Sequence, residues 1–205
     1  MCIRDREESI YGRSALRRLT NLGQLPQEVV LRNGTPSLLR AIRPDDKQPL
    51  LEGFHRLRSR SIYFRFFSAK KGLTDKELKF YTEVDFEHHV AIVSTIKSDG
   101  KEKIVGVGRY IEISDNDTER VAEVAFAVDD EYQNLGVGTI LFEYLVSIAQ
   151  NNGITSLEAD VLLENRNMLD IFKHSGFKLN KATRSGVTHI QFNISGKEFN
   201  RYYLV

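Results

Sequence analysis

The stretch at residues 121–138, VAEVAFAVDDEYQNLGVG, constrains the fold more than any other part of the chain. In its first half, large apolar residues alternate with small or charged ones, the pattern of a β-strand with two different faces. The period then changes to that of a helix, whose apolar stripe consists of Ile140, Leu141, Tyr144, Leu145 and Ile148. The sequence therefore predicts a strand, a glycine-containing loop and a helix, in that order.

The loop between this strand and helix has the chemistry of an anion site. The first N–H groups of a helix lack internal acceptors and lie at the positive end of the helix dipole. Glycine lets a phosphate approach the backbone because no Cβ lies in the way. A Rossmann loop would need a glycine where Leu141 stands, and a Walker loop would need a lysine after Gly138, where Thr139 stands. The remaining pattern is Gln133-x-x-Gly136-x-Gly138.

In its strand-to-helix context, this pattern resembles the coenzyme A loop of the GNAT superfamily of N-acetyltransferases, Arg/Gln-x-x-Gly-x-Gly/Ala. The alternative is an ordinary glycine-rich turn. The resemblance implies acetyl-CoA as co-substrate and a diphosphate held by the loop and the helix start. The implied cofactor-binding residues there are Gln133, Asn134, Leu135, Gly136, Val137, Gly138 and Thr139.

The rest of the chain predicts the element order of the same fold. A hairpin turns at Asn33-Gly34, a helix follows Pro44, and a Thr-x-x-Glu capping box at Thr74 begins another helix. Further strands are predicted at residues 89–96, 104–113, 157–161, 177–179 and 189–194. The resemblance implies an α/β (α+β) GNAT fold, a central mixed, mostly antiparallel twisted sheet of about seven strands flanked by helices.

One domain is expected at residues 29–195, between an N-terminal tail at 1–28 and a C-terminal tail at 196–205. Residues 1–6, MCIRDR, resemble a translated sequencing-adapter fragment, and we exclude them from the fold.

Composition excludes several classes of protein. A net charge of +1 gives no strong field for nucleic acid, and the single cysteine, Cys2, excludes a disulfide framework and a thiolate metal site. The five histidines lack metal-ligand spacing, so we expect no metal. No apolar run approaches the ~20 residues that span a bilayer, and the N-terminus lacks the apolar core of a signal peptide. We therefore expect a cytoplasmic protein with no membrane and no nucleic-acid partner.

A basic, aromatic segment at residues 54–71 allows three interpretations. It contains six Arg or Lys residues and no acid, interleaved with Tyr63, Phe64, Phe66 and Phe67. It could bind nucleic acid through phosphate contacts and stacking. It could instead bind an acidic partner protein or the coenzyme phosphates. We favour a short helix with core aromatics and solvated or paired arginines, because the net charge is near neutral.

The resemblance implies acetyl transfer to an amine, which needs a base. A lysine amine has a pKa of ~10.4, so freeing its lone pair at pH 7 costs roughly 4–5 kcal/mol. Glu123 stands in the middle of an apolar strand, where we expect partial burial to raise its pKa. The alternative interpretation is that Glu123 lies on the solvent-exposed face of the strand and forms a salt bridge with a neighbouring residue. The AEVAF run at residues 122–126 resembles bacterial protein-lysine acetyltransferases, whose catalytic glutamate occupies this place, so Glu123 is the candidate base.

Other site residues follow from the resemblance. Phe126, Ala127 and Val128 would offer backbone groups to the pantetheine arm, and Asn165 would contact the arm as well. Asn is also a good helix N-cap, so Asn165 has a simple structural alternative. Many family members carry a tyrosine seven residues after that asparagine as general acid, whereas Phe172 stands there. A thiol with a pKa of ~8.5 can leave as thiolate with little help, so we name no general acid.

The narrower resemblance includes residues 61–67, SIYFRFF, and 164–169, ENRNML. Both runs look like the GNAT domain of bacterial protein acetyltransferases that regulate acyl-CoA synthetases. The expected acceptor is therefore a protein lysine. Two alternatives remain open: a small-molecule amine as acceptor, and a non-catalytic module that senses acyl-CoA. Nucleic-acid binding through the basic segment is the weakest of the hypotheses.

Overall fold

The computed structural model describes residues 25–114 and 119–196. The adapter-like residues 1–6, most of the expected N-terminal tail and nearly all of the expected C-terminal tail lie outside the described residues. The domain boundaries at 29 and 195 therefore stay predictions.

One sheet organises the described chain. Its strands, in the order of the sequence, are β1 Gln27–Val30, β2 Pro36–Ala41, β3 His89–Ser98, β4 Lys101–Glu112, β5 Val121–Val128, β6 Ser156–Leu162, β7 Asn180–Arg184 and β8 Val187–Asn193. The order across the sheet is β1-β2-β3-β4-β5-β6-β8-β7. All neighbouring strands are antiparallel except β5 and β6, which are parallel. This architecture confirms the predicted fold class, with eight described strands where about seven were expected.

Helices cover both faces of the sheet. They are α1 Lys47–Arg56, α2 Ser59–Phe66, α3 Asp75–Thr82, α4 Val137–Asn151 and α5 Arg166–His174, with 3₁₀ turns at Pro44–Asp46 and Asp130–Tyr132. The predicted capping box is present, because Thr74 Oγ1 accepts from the Glu77 amide and the Glu77 carboxylate accepts from the Thr74 amide. Across the described ranges, the longest helix has 15 residues, and none is long and apolar enough to cross a bilayer.

Two glycines on β4 let α4 lie close to the sheet. A Cβ on Gly106 would come within 2.5 Å of Val137 Cγ1, and one on Gly108 within 2.9 Å of Leu145 Cδ1. The apolar stripe of α4 therefore packs directly on β4 and forms the larger part of the core. A second, smaller core lies under α1 and α3 and consists of Ile42, Leu50, Leu78, Ala91, Val93 and Ile104.

The strand predicted at residues 177–179 is wrong. Strand pairing begins only at Asn180, after a left-handed Gly176 at φ +73°. Phe177 and Leu179 are apolar because they pack on the larger core, where the Phe177 ring stacks on Phe192 at 5.4 Å between centroids. Their side chains thus gave an apolar signal that did not come from a strand.

Candidate active site

The parallel strands β5 and β6 separate along their length and leave an open cleft. Only Val121, Ala122 and Glu123 are in register with β6, and the last pair joins Glu123 to Glu158. Beyond this pair, β5 continues to Val128 without pairing to β6. A cleft of about 1050 Å³ lies there, with walls from both strands, α2 and the start of α5. An extended chain can therefore lie along the free edge of β5.

The glycine loop closes one end of this cleft. Gly136 has φ +93°, a conformation that other residues adopt only with strain. The first internal bond of α4 runs from the Ile140 amide to the Gly136 carbonyl at 3.0 Å. The amides before Ile140 therefore have no acceptor within the helix. A Cβ on Gly138 would lie 2.8 Å from Ile171 Cδ1, so a side chain there would require Ile171 to shift. These features fit a diphosphate.

Gln133 in the glycine loop and Arg32 beside it have contacts that the sequence did not predict in detail. Gln133 donates from Nε2 to Ser61 Oγ at 3.2 Å and to the Val128 carbonyl at 3.3 Å, so its side chain holds the loop. The backbone amide of Arg32, in the β1–β2 turn, donates to the Leu135 carbonyl at 3.0 Å. Arg32 is exposed beside Gly136 and is a missed candidate for a coenzyme phosphate. It lies 102 residues before Asn134, so no local pattern could have indicated it.

The residues predicted for the pantetheine arm line the cleft together. Phe126, Ala127, Val128 and Asn165 all contribute to its walls. The Phe126 side chain itself packs into the core, so only its backbone faces the cleft edge. Asn165 caps α5, because its Oδ1 accepts from the Met168 amide at 3.3 Å. The capping role is therefore present, and its contact with the arm stays a prediction.

Phe172 is fully buried between two other rings of the core. Its centroid lies 5.6 Å from that of Phe142 and 5.7 Å from that of Phe192. The position that often carries a tyrosine is thus part of the hydrophobic core in this chain.

Glu123 contributes to the wall of the cleft at the point where the strands separate. Its side chain is exposed, so the expected partial burial is wrong: β5 turns this face toward the open cleft, and α4 covers the other. Glu123 has no ion-pair partner in the part of the chain that the structure describes. Its register partner Glu158 and the nearby Asp160 make the adjoining surface acidic. A positively charged amine would be attracted to this surface.

The basic segment contributes to the cleft and only partly behaves as expected. Arg56 pairs with Asp129 at 2.7 Å, and Arg60 lies 3.8 Å from Glu164. The expectation of core aromatics is wrong for Tyr63 and Phe67, which are exposed, because α2 lies along the cleft. The arginines of α2, Arg60 and Arg65, thus line the cleft. Among residues 25–114 and 119–196, no cluster of His, Cys, Asp and Glu could hold a metal ion.

Comparisons with known proteins agree with this geometry. The model of the Acetyltransferase (GNAT) family matches residues 56–177. The chain is 33% identical over 151 residues to Acetyltransferase Pat of Mycolicibacterium smegmatis, covering 74% of this chain but 44% of that protein. It is 28% identical over 147 residues to Acetyltransferase PA5475 of Pseudomonas aeruginosa, covering 72% of this chain and 77% of that protein. The chain thus spans less than half of the mycobacterial relative.

A solved structure gives the same result. The GNAT domain of Streptomyces lividans PAT superposes with a TM-score of 0.73 at 29% identity, over 82% of this chain and 96% of that domain. The family match covers more than half of the chain, and the separated strands and glycine loop supply the matching geometry. The chain therefore belongs to the GNAT family of acetyltransferases, enzymes that use acetyl-CoA.

Proposed function

We propose that this protein transfers an acetyl group from acetyl-CoA to a protein lysine, with Glu123 as the general base. The observation that carries the proposal is the position of Glu123 at the last pair between β5 and β6. From there its carboxylate faces the cleft in which the free edge of β5 and the glycine loop would hold the coenzyme. Acetyl-CoA supplies the acetyl group as an activated thioester.

The residues of the chain supply binding and proton transfer. The acidic surface of Glu123, Glu158 and Asp160 attracts the lysine ammonium. Glu123 takes a proton from it, directly or through a water, which offsets the roughly 4–5 kcal/mol that deprotonation costs in solution. The freed amine then attacks the thioester carbonyl, the C–N bond forms, the nitrogen gives its second proton to water, and the C–S bond breaks. The thiolate leaves without a donor from position 172, where a phenyl ring stands.

The acceptor class is supported by the relatives. The two proteins with 29% and 33% identity are named PAT and Pat, and the runs at 61–67 and 164–169 resemble protein-lysine acetyltransferases. An acyl-CoA synthetase is therefore the acceptor to offer first. The open, exposed surface around Glu123 would admit a lysine on a folded protein. The proposed setting is the cytoplasm, where both substrates occur.

The test is CoA release with mass spectrometry of the acceptors, for wild type and Glu123→Gln. We expect the variant to lower kcat by about 10²–10⁴-fold, the usual contribution of a general base. Glu158→Gln is the matched control, because it removes one carboxylate of the acidic surface but leaves the base; it should raise KM for the amine and leave kcat nearly unchanged. Undiminished transfer by Glu123→Gln would overturn the assignment of the base.

The acceptor panel separates the proposal from its alternatives. An acyl-CoA synthetase acetylated on lysine, with transfer lost in Glu123→Gln, would support the protein acceptor. Turnover with polyamines or amino acids alone would favour a small-molecule acetyltransferase. Binding of acetyl-CoA without transfer to any acceptor would favour the acyl-CoA sensor.

A further inference from the structure

A second cavity lies on the face of the sheet that α1 and α3 cover, and two arginines line it. Arg65 on α2 and Arg109 on β4 contribute the cations, and most of the other lining side chains are apolar. Its volume is about 60 Å³, room for roughly four water-sized groups. Leu57, Arg65, Ala125 and Ala127 line both this cavity and the cleft. The cavity therefore adjoins the space in which thioester and amine would meet.

Arg109 is buried without a carboxylate. Only 5% of the residue is exposed, and no acid of the described ranges lies within ion-pair distance of it. Its Nη1 donates to His89 Nε2 at 3.1 Å, and both terminal nitrogens lie 3.5 Å from the Tyr81 carbonyl. The guanidinium also lies 4.4 Å from the centroid of the Tyr81 ring. These neutral contacts leave a buried positive charge without a counter-ion, which is costly.

Arg65 adds a second cation to the same cavity. It is half-buried, and it too has no ion-pair partner in the part of the chain described. Burial, and then the charge of Arg65, lower the pKa of Arg109 to about 9. Burial also lowers the pKa of Arg65, although the charges of Tyr81 and Glu123 oppose this shift. An anion between the two guanidinium groups would relieve both the burial and the repulsion.

Asp129 lines the cavity as well, but it does not act as the counter-ion of Arg65 and Arg109. Asp129 is buried, and its Oδ2 lies 2.7 Å from Arg56 Nε and 3.7 Å from Lys103 Nζ. Two other cations thus neutralise it. The cavity combines a positive end with apolar walls, and this suits an anion on a short aliphatic chain.

We propose that Arg65 and Arg109 bind a carboxylate carried on a short aliphatic chain by one of the two substrates. The proposal rests on the acyl transfer of the proposed function, because the cavity adjoins its site, and not on a protein lysine as the acceptor. The carboxylate belongs either to a dicarboxylic acyl group, such as succinyl, or to the amine acceptor, such as γ-aminobutyrate. In both cases the amide C–N bond forms, the C–S bond breaks, the thiolate leaves with its electron pair, and Glu123 receives the amine proton. The carboxylate itself does not react.

The kinetic test compares matched substrates with and without the carboxylate. One arm measures kcat/KM for succinyl-CoA and butyryl-CoA, and the other for γ-aminobutyrate and butylamine. In each arm, we divide kcat/KM for the substrate with the carboxylate by kcat/KM for the uncharged substrate. In Arg109→Met, we expect this ratio to fall by at least about tenfold in one arm, because the buried partner of the carboxylate is lost. Arg184→Met, on the exposed strand β7, is the control and should leave both ratios unchanged. The arm that responds identifies the source of the carboxylate.

A binding test does not depend on turnover. We expect millimolar succinate to raise the thermal unfolding temperature of the wild type, and butyramide, which has no charge, to leave it unchanged. Arg109→Met should lose the succinate effect. Arg65→Gln is the second variant, should the buried substitution prevent folding, and it should weaken the effect as well.

The outcomes separate this proposal from the proposed function. If no acyl-CoA is consumed but succinate stabilises the wild type through Arg109, the anion site stands and the transferase proposal fails. Alternatively, transfer proceeds, both kcat/KM ratios are unchanged in the variants, and succinate has no effect on the unfolding temperature. In that case the anion site is overturned and the transferase proposal stands.

Discussion

Two buried arginines on the same sheet have opposite surroundings. Arg40 on β2 is 4% exposed and Arg109 on β4 is 5% exposed. Arg40 makes two bonds of 2.8 Å to the Asp46 carboxylate and one of 2.7 Å to Glu102 Oε1. Arg109 faces a histidine, a backbone carbonyl and an aromatic ring. Equal burial therefore accompanies a complete ion pair at Arg40 and, among the described residues, none at Arg109.

The pKa shifts of the two groups differ in the same way. Burial on its own lowers the pKa of Arg40, but the hydrogen bonds and charges of Asp46 and Glu102 outweigh it and raise the pKa. Burial and then the charge of Arg65 lower the pKa of Arg109, Tyr81 opposes the shift, and no carboxylate of the described residues compensates. A charge that the fold already neutralises has a structural role. A charge that the fold buries without neutralising it is available to a ligand.

The largest expected effect is the loss of the Arg40 ion pair. In Arg40→Met, the Asp46 carboxylate stays buried at 4% exposure without its cation. We expect the free energy of unfolding to fall by about 3–5 kcal/mol, as for other buried pairs that lose one partner. Urea unfolding followed by circular dichroism measures the change.

The control for this experiment is Arg184→Met on the exposed strand β7, which should change the free energy of unfolding by less than about 0.5 kcal/mol. A loss below about 1 kcal/mol in Arg40→Met would mean that the ion pair contributes little, and the contrast with Arg109 would disappear.

A second prediction separates the two regions by pH. Burial and the charge of Arg109 lower the pKa of His89 from 6.5 to about 4, against the opposing charge of Asp85. Below pH 6.5, His89 becomes protonated in the unfolded chain, whereas in the folded chain it stays neutral down to about pH 4. The contribution of neutral His89 to the free energy of unfolding is therefore fully present above pH 6.5 and is lost as the pH falls toward 4. The loss is at most about 3 kcal/mol, at ~1.36 per pKa unit.

The Arg40 region should respond only at lower pH. Burial raises the pKa of Glu102, but hydrogen bonds from Arg40 and Thr95 lower it below its ordinary 4.5. The contribution of the ionised Glu102 carboxylate to the stability of the fold is therefore present above pH 4.5 and is lost below that value. We expect His89→Gln to flatten the stability profile between pH 6.5 and 4.5 and to leave the fall below pH 4 unchanged. In this variant, a profile that still falls as steeply between pH 6.5 and 4.5 would contradict the assignment to His89.

The fold was largely predictable because its signals are local. The alternation in β5, the stripe of α4, the Asn33-Gly34 turn and the Thr74 capping box each occupy a few consecutive residues. Most of these elements form with nearly the predicted bounds. The exception at residues 177–179 shows the limit, since apolar residues that pack from a loop give the same signal as a short strand.

The site was predictable only where it follows the chain. The glycine loop is one continuous segment, so its spacing identifies it. The surroundings of Arg40, Arg65 and Arg109 are built from separate elements, and nothing in the sequence tells which of three arginines has a carboxylate. The exposure of Glu123 was missed for a related reason, since the separation of β5 from β6 depends on pairing that begins elsewhere in the sheet.

Of the two buried arginines, Arg109 should have the smaller effect on stability when it is replaced by Met. Because this arginine is buried without a counter-ion, replacing it by an apolar side chain of similar length removes a desolvation cost along with its contacts to His89 and Tyr81. We expect the two effects nearly to cancel, so that the free energy of unfolding, measured without any carboxylate present, changes by less than about 1 kcal/mol. Added succinate should then stabilise the wild type above the variant. A loss of 3 kcal/mol or more, the size expected for Arg40, would mean that Arg109 holds the fold together through its neutral contacts, and the distinction between the two buried arginines would not hold.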